Sequence, residues 1–461
     1  MALSDLTRGG RDPAAQYKKM TETPVSRLIL TLAVPTVISM LVTNIYNLVD
    51  TAFVGMLGNS ASGAVGIVFG YMAILQSFGF MYGQGGGSIT SRELGARDQA
   101  QASRTASTAF FCALITGTVL AGLSFFIIDP LIHFLGSTDT IAPYAKTYIS
   151  YILIAAPFTT ASFTLNNLLR YEGKAFFGMI GLMVGGILNI AGDPLFMFGL
   201  KMGIAGAGLS TCLSQTTSFL ILLSVFLRGK TTVHLSIRNF TPTLSLIGLI
   251  CTTGLPSLLR QSLTSIATII LNWEANPYGD EAVAAMSIVS RVSFFIFAAA
   301  LGIGQGFQPV SAFNYGAGKY SRVRRAYGFT IAMAEALLAV VLVFVVAFSD
   351  RVVGIFRNDP TVIEIGTRAL RLQCAAIIFL PPTMVTEMLL QSTGQRLSAS
   401  LLSALRSGIF FIPLLLILSR LRGLYGIEEA QPLAYFLAFF PSVFFAIRML
   451  KDKMPREDAV R

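Results

Sequence analysis

Charge is what this 461-residue chain has least of: Lys, Arg, Asp and Glu together make up 12%, against about a quarter in a typical soluble domain. Too little water-compatible surface remains to clothe the two or three soluble domains this length could otherwise form. Cysteine is equally scarce. Cys112, Cys212, Cys251 and Cys374 each stand alone in an apolar stretch, so neither a disulfide framework nor a metal-binding pair is indicated. The two histidines, His133 and His234, lie near loops without a second ligand at metal spacing. No nucleophile–base pairing stands out, so an enzyme is not expected, and neither is a bound cofactor or a resident metal. A single Trp against 35 Phe makes the apolar content aliphatic and phenyl. No cleavable leader is expected, because the polar and basic opening residues precede an apolar run long enough to span a bilayer.

What is present is hydrophobicity: 54% of residues and a mean hydropathy of +0.68. About 20 apolar residues cross a ~30 Å hydrocarbon layer as a helix. Twelve such runs can be marked, at 28–53, 63–88, 105–128, 147–169, 176–199, 206–227, 245–271, 281–308, 326–348, 363–390, 398–418 and 431–448. Backbone polar groups in lipid must be satisfied within the segment, and no barrel-type alternation occurs. The expected fold is therefore all-α and integral to a membrane. The net charge of +11 does not indicate nucleic acid, because the basic residues sit in short connections and at both ends. Counted along alternating connections, 23 Lys and Arg fall on one side of the membrane and six on the other. The positive-inside rule then makes both termini cytoplasmic, which an even number of spans satisfies.

The chain also repeats itself. A shift of 221 residues carries Pro35 onto Pro256, Gly83-Gln84-Gly85 onto Gly304-Gln305-Gly306 and Gly95-Ala96 onto Gly316-Ala317. It also carries Leu168-Leu169 onto Leu389-Leu390 and Gly173 onto Gly394. Six spans per half is even, so the halves are parallel repeats, with a substrate path expected between them. The organisation read from this is a cytoplasmic segment 1–27, a first lobe 28–227, a cytoplasmic linker 228–243, a second lobe 244–448 and a cytoplasmic tail 449–461.

Ionisable residues inside spans are functional suspects. Asp50 lies near the outer end of span 1, where it could instead simply reach the interface. Asp193 lies in span 5, and Asn189 shares its helical face one turn earlier. A carboxylate and an amide oxygen on one stripe suit a hard cation or a proton. Pro194 next to Asp193, and Pro35 in span 1, should bend their helices and free carbonyls. The shift places Leu271, Phe410 and Leu414 opposite Asp50, Asn189 and Asp193, which confines the acids to the first lobe. The second lobe has Arg260, Arg291, Glu335, Glu387 and Arg406 in its spans. Pairing or snorkelling suits the arginines, Glu387 is a candidate substrate contact, and Glu274 is expected to be solvated. Gly83 to Gly87 lacks the Gly-Lys-Ser/Thr ending of a phosphate loop. With Gly181/Gly185 and Gly302/Gly306 it reads as close helix packing.

Four pieces carry a resemblance: AVPTVISMLVTNIYNLVDTAFVG, its echo beginning GLPSLLRQ, GQGGGSITSRELGAR after span 2, and LNIAGDPLFMFG in span 5. In this order and with the duplication, the chain resembles the multidrug and toxic compound extrusion (MATE) family, in its MepA-like bacterial branch, over roughly residues 25–450. The resemblance implies two six-helix lobes forming a V around a central cavity. It implies export of cationic or amphiphilic small molecules by a monomer in the bacterial plasma (inner) membrane, driven by H⁺ or Na⁺. It further implies a cation site at Asp50, Asn189, Asp193 and Thr211, with Tyr46 and Asn166 neighbouring it and a helix bend at Pro35. Any metal would be a transient Na⁺ at that site. The branch with acids in spans 7 and 10 fits less well, because Arg260 stands in span 7 and Glu387 is displaced. Small molecules and membrane lipids are the expected partners. A flippase for lipid-linked precursors of the same superfamily is the alternative, and twelve spans with first-lobe acids argue against it.

Overall fold

A computed structural model describes residues 12–455 and 458. Of the terminal segments expected above, residues 1–11, 456, 457 and 459–461 lie outside the described residues. Every one of the twelve apolar runs is helical, and no strand occurs among the described residues.

In chain order the elements are α1 (Pro13–Glu22), α2 (Val25–Gly55), α3 (Asn59–Gly95), α4 (Gln99–Phe126) and α5 (Ile128–Phe134). Next come α6 (Ala142–Tyr171), α7 (Ala175–Pro194), α8 (Ile204–Leu227), α9 (Leu244–Ala275) and α10 (Asp280–Gly316). The second half continues with α11 (Tyr320–Ala347), α12 (Ser349–Phe356), α13 (Pro360–Ala376) and α14 (Leu380–Ser392). It closes with α15 (Arg396–Ala404), α16 (Phe411–Arg422) and α17 (Leu424–Asp452). The pairs α13–α14 and α15–α16 each form one span, joined by a 3₁₀ turn and a π turn respectively. Among the described residues eleven spans are long and apolar enough to cross a membrane. The remaining span is α9, where the polar stretch from Thr252 to Thr264, with Arg260 and Gln261, dilutes the apolar run.

The helices outlast the runs. At 37 residues α3 is about 55 Å long, well beyond the ~30 Å of hydrocarbon. The edge of an apolar run marks where lipid ends, whereas the helix continues as long as its side chains find protein to pack on. The short helices α5 and α12 were not legible from hydropathy, and their starts, Ile128 and Ser349, lie 221 residues apart.

By contacts the chain divides into two compact units. The first comprises the N-terminal residues through Thr23, Ile38–Leu258 and Ala312–Ala317; the second comprises Pro24–Val37, Leu259–Ser311 and Gly318 onward. These units differ from the lobes drawn from the repeat, because each takes the opening stretch of the other lobe's first helix. The cuts fall two residues after Pro35 and two after Pro256.

Glycines explain the exchange. In the first unit a Cβ on Gly254 would lie 1.9 Å from the Met81 oxygen, and one on Gly85 would lie 2.2 Å from the Ile250 oxygen. In the second unit Gly306 and Gly302 meet the Ala33 and Val37 backbones at 2.5 and 2.7 Å by the same measure. Lipid supplies no hydrophobic drive for helix association, so backbone contact of this kind holds spans together. Gly85 and Gly306, and likewise Ala33 and Gly254, are related by the 221 shift.

The segment 228–243 is not a solvated tether. Thr231, Thr232 and Val233 are buried, and the chain is stitched along α4. The backbone N–H groups of His234, Ser236 and Thr241 donate to Ser103 Oγ, Ser107 Oγ and Thr108 Oγ1 at 3.1, 3.2 and 3.1 Å. Thr232 N–H donates to Glu172 Oε2 at 2.8 Å, and the same carboxylate pairs with Lys174 Nζ at 2.9 Å. Helix α1 rests on the adjoining turn. Lys19 Nζ donates to the Gly173 carbonyl at 3.4 Å, and Met20 is fully buried. Burial, and then the nearby charge of Lys174, holds the Lys19 ammonium below its ordinary pKa.

Glu172→Ala should strand Lys174 in its buried position and lower stability by on the order of 3 kcal/mol. Glu22→Ala, which removes only an exposed pair with Lys18, should change stability by less than about 1 kcal/mol. Thermal unfolding of the detergent-purified protein separates the two, and equal midpoints would contradict the assignment.

Candidate functional site

The site begins with glycines on α7. Gly181, Gly185 and Gly192 leave one stripe of that helix bare, and α8 fills it. A Cβ at Gly181 would meet Leu222 at 2.5 Å, one at Gly185 would meet Ser218 at 3.0 Å, and one at Gly192 would meet Ser210 Oγ at 2.6 Å. This closeness brings Ser210 and Thr211 onto Asn189. A further glycine, Gly186, faces Tyr46 and Val42 of α2 at 3.1 and 3.5 Å. Asp50 stands one turn beyond Tyr46 on the same face of α2.

Four helices therefore converge on one polar cluster inside the first unit. Asn189 Nδ2 is shared among Asp193 Oδ1, Ser210 Oγ and Thr211 Oγ1 at 3.3, 3.4 and 3.3 Å. One amide nitrogen has two hydrogens, so three acceptors are not fully served. Ser210 Oγ donates to the Asn189 carbonyl at 3.2 Å. Asp50 and Asp193 lie within direct interaction range of each other. Tyr148 of α6 pairs with Thr211 and lies within the field of both acids, while Tyr46 pairs with Gln215 and lies within the field of Asp50. Asp193 is 0% exposed. Asp50 Oδ1 and Asp193 Oδ2 are buried with no hydrogen-bond donor.

Two donorless carboxyl oxygens in one buried cluster are costly, because each forfeits its hydration without replacement. A proton, or a hard cation taking carboxylate, amide and hydroxyl oxygens, removes that cost. Pro194 ends the α-helical ladder of α7 beside Asp193, and a π turn follows over Leu195–Gly199. Gly206 of α8 packs directly on the backbone of that turn.

The MatE family model matches the chain twice, over residues 35–195 and again over 256–417. The chain belongs to the MatE family. The two matches begin 221 residues apart, at the two prolines, so the duplication noted in the sequence is a duplication of the MatE unit. Among curated relatives, "Multidrug export protein MepA" of Staphylococcus saprophyticus is 27% identical, with 93% of this chain and 94% of the relative covered. The protein of that name from Staphylococcus aureus strain N315 is 26% identical, with 94% and 96% covered. Among solved structures, an outward-facing multidrug resistance MATE family transporter of the MOP superfamily matches with a TM-score of 0.89. It is 26% identical and covers 96% of this chain and 99% of its own.

Of the residues expected at the MatE cation site, Asp50, Asn189, Asp193, Thr211 and Tyr46 come together. Asn166 does not join them. Its amide lies against Gly178, three turns before Asn189 on α7. Along α6 it also stands 18 residues, or roughly 27 Å, from Tyr148. Pro35 lies within α2, 15 residues or roughly 22 Å before Asp50, and the helix continues through it. Glu387 is not the open contact expected of it. It is 1% exposed and bonded by Arg260 Nη1 at 2.6 Å, with Arg406 Nη2 at 4.0 Å. Arg260 is thus paired and Arg406 shares the same carboxylate at longer range, whereas Arg291 is exposed and Glu335 half-buried. Glu274 is not simply solvated, since it accepts a hydrogen bond from Ser419 Oγ at 2.5 Å.

Two members of the cluster escaped the sequence reading. Tyr148 stands near the start of its span, where tyrosines ordinarily mark the membrane interface. Ser210 is one small residue in a helix full of them. The usable signal was Asn189 itself, because an amide inside a span needs partners and α8 supplies adjacent hydroxyls.

Gly206→Ala should destabilise the first unit by about 1–3 kcal/mol, because its Cβ would fall 2.6 Å from the Phe196 carbonyl carbon and 2.7 Å from the Met197 nitrogen. Gly66→Ala, with nothing within 4 Å, should leave stability unchanged or raise it by up to ~1 kcal/mol. A higher unfolding midpoint for both variants would refute the close contact at the π turn.

Proposed function

We propose that this chain is a secondary active multidrug efflux transporter, exchanging cationic or amphiphilic small molecules for an inward-moving H⁺ or Na⁺. The observation that carries the reading is the pair of donorless carboxyl oxygens on Asp50 and Asp193. The names of the MepA relatives and of the MATE structure point the same way. The excess of basic residues on one set of connections supports cytoplasmic termini and residence in a bacterial plasma membrane.

The exchange follows from charge. Two negative groups within reach of each other, Asp193 buried and Asp50 half-buried, repel, and the repulsion falls when one positive partner enters. A proton or Na⁺ binding there draws the carboxyls and Asn189 together, which favours whichever arrangement of α2, α7 and α8 fits the filled site. Such binding drives transport only to the extent that its affinity differs between the two states of the carrier. Helix α2 is the natural moving part. It carries Asp50 at one end, and Pro35 deprives the Thr31 carbonyl of its helical donor at the other. A cationic drug competes for the same negative charge, so ion entry and drug release are coupled.

Efflux of a fluorescent organic cation from proteoliposomes, with a proton gradient and a sodium gradient imposed separately, tests this. Asp50→Asn and Asp193→Asn should each slow gradient-driven efflux about tenfold or more. Parent-like transport by Asp193→Asn would overturn the site. Translocation of a lipid-linked precursor without efflux of the cation would favour the flippase.

A further inference from the structure

The acid cluster has a counterpart in the second unit with the opposite chemistry. A cavity of about 110 Å³ opens there between α9, α10, α13, the α15–α16 junction and α17. Leu271, which the 221 shift places at Asp50, is part of its wall, and so is Gln431, which the shift places at Ser210. Leucines replace both acids of the first unit, and the charge facing this cavity is instead Arg406, at the position of Gly185.

Arg406 is 3% exposed. Its guanidinium lies over the Phe297 ring at 5.2 Å from the centroid, and its nearest carboxylate oxygen, on Glu387, is 4.0 Å away. Glu387 is already bonded to Arg260 at 2.6 Å, so one carboxylate serves two buried guanidiniums. Arg406 Nη1 has no hydrogen-bond partner. The other acid in the wall, Glu428, is held by both arms of Arg368 at 2.7 and 2.6 Å and adds no net charge. The charges facing this space therefore sum to one positive, carried by a guanidinium with an unused donor.

We propose that this cavity is a binding site for an aromatic carboxylate, separate from the acid cluster of the first unit. The planar fork of an arginine matches a carboxylate better than a spherical ion. Phe297 and Tyr435 supply apolar wall for a ring, and Gln373, Gln431 and Ser290 supply edge donors. At about 110 Å³ the cavity is smaller than the engineered one of about 150 Å³ that accepts benzene, which limits the ligand to a single ring. Such a site would add recognition of molecules bearing an acidic group to the cation recognition proposed for the first unit.

The test is binding rather than transport, so its failure is separable from a failure of the transport reading. Purified full-length protein in nanodiscs is titrated with benzoate and with uncharged benzamide, following the heat of binding. The wild type should bind the acid about tenfold more tightly than the amide. Arg406→Met should abolish that preference, and Arg406→Lys should retain part of it. Equal binding of acid and amide by the wild type would overturn the proposal, as would an unchanged preference in Arg406→Met. Should Arg406→Met fail to fold, the wild-type comparison of acid with amide decides alone.

Discussion

Away from water a carboxylate must find donors, a cation or a proton, and at Asp50 and Asp193 the protein supplies too few donors. Asn189 is divided among three acceptors, and one oxygen of each acid is left bare. The first unit is arranged around that shortage. Missing side chains at Gly181, Gly185 and Gly192 admit α8, and the missing side chain at Gly186 admits α2. The acids are thereby held where only an incoming positive charge relieves them. In the exchange proposed above, the coupling ion is a structural component of one state and an absence in the other.

The duplicated halves keep their scaffold and change their chemistry. Gly85 on Gly254 in the first unit corresponds to Gly306 on Ala33 in the second. The positions of the two acids and the amide are taken by Leu271, Phe410 and Leu414, while the buried Arg260, Glu387 and Arg406 stand where the first half has Ser39, Asn166 and Gly185. Backbone-to-backbone contacts tolerate no added atom, so they stay fixed after duplication. A cavity wall tolerates any side chain whose charge is matched, so it is free to diverge.

The spans, their number and the repeat were legible in the sequence because lipid permits only one backbone solution. Asn189 and Asp193 were legible because four residues along a helix return to the same face. Thr211 and Tyr46 came from the family resemblance rather than from spacing. Their partners Tyr148 and Ser210 were not legible, because membership there is a matter of which helices meet, and that is decided by glycine contacts made in three dimensions. Asn166 was misplaced for the same reason: its position in the chain says nothing of the depth at which α6 passes the acids. How segment 228–243 is held was not legible, because only the hydroxyl row on α4 shows where its N–H groups are satisfied. Glu387 stood as a candidate substrate contact, and its bond to Arg260 was not legible because the two are 127 residues apart.

The division at the two prolines also bears on how the molecule can be made. A ribosome delivers Pro24–Val37 early, yet that stretch packs with residues beginning at Leu259. The first unit, for its part, includes Ala312–Ala317. Neither unit can close on its own contiguous half of the nascent polypeptide. About two thirds of the chain must be translated and inserted before the earlier unit has all its parts, so the opening turns of α2 wait in the bilayer for partners not yet synthesised.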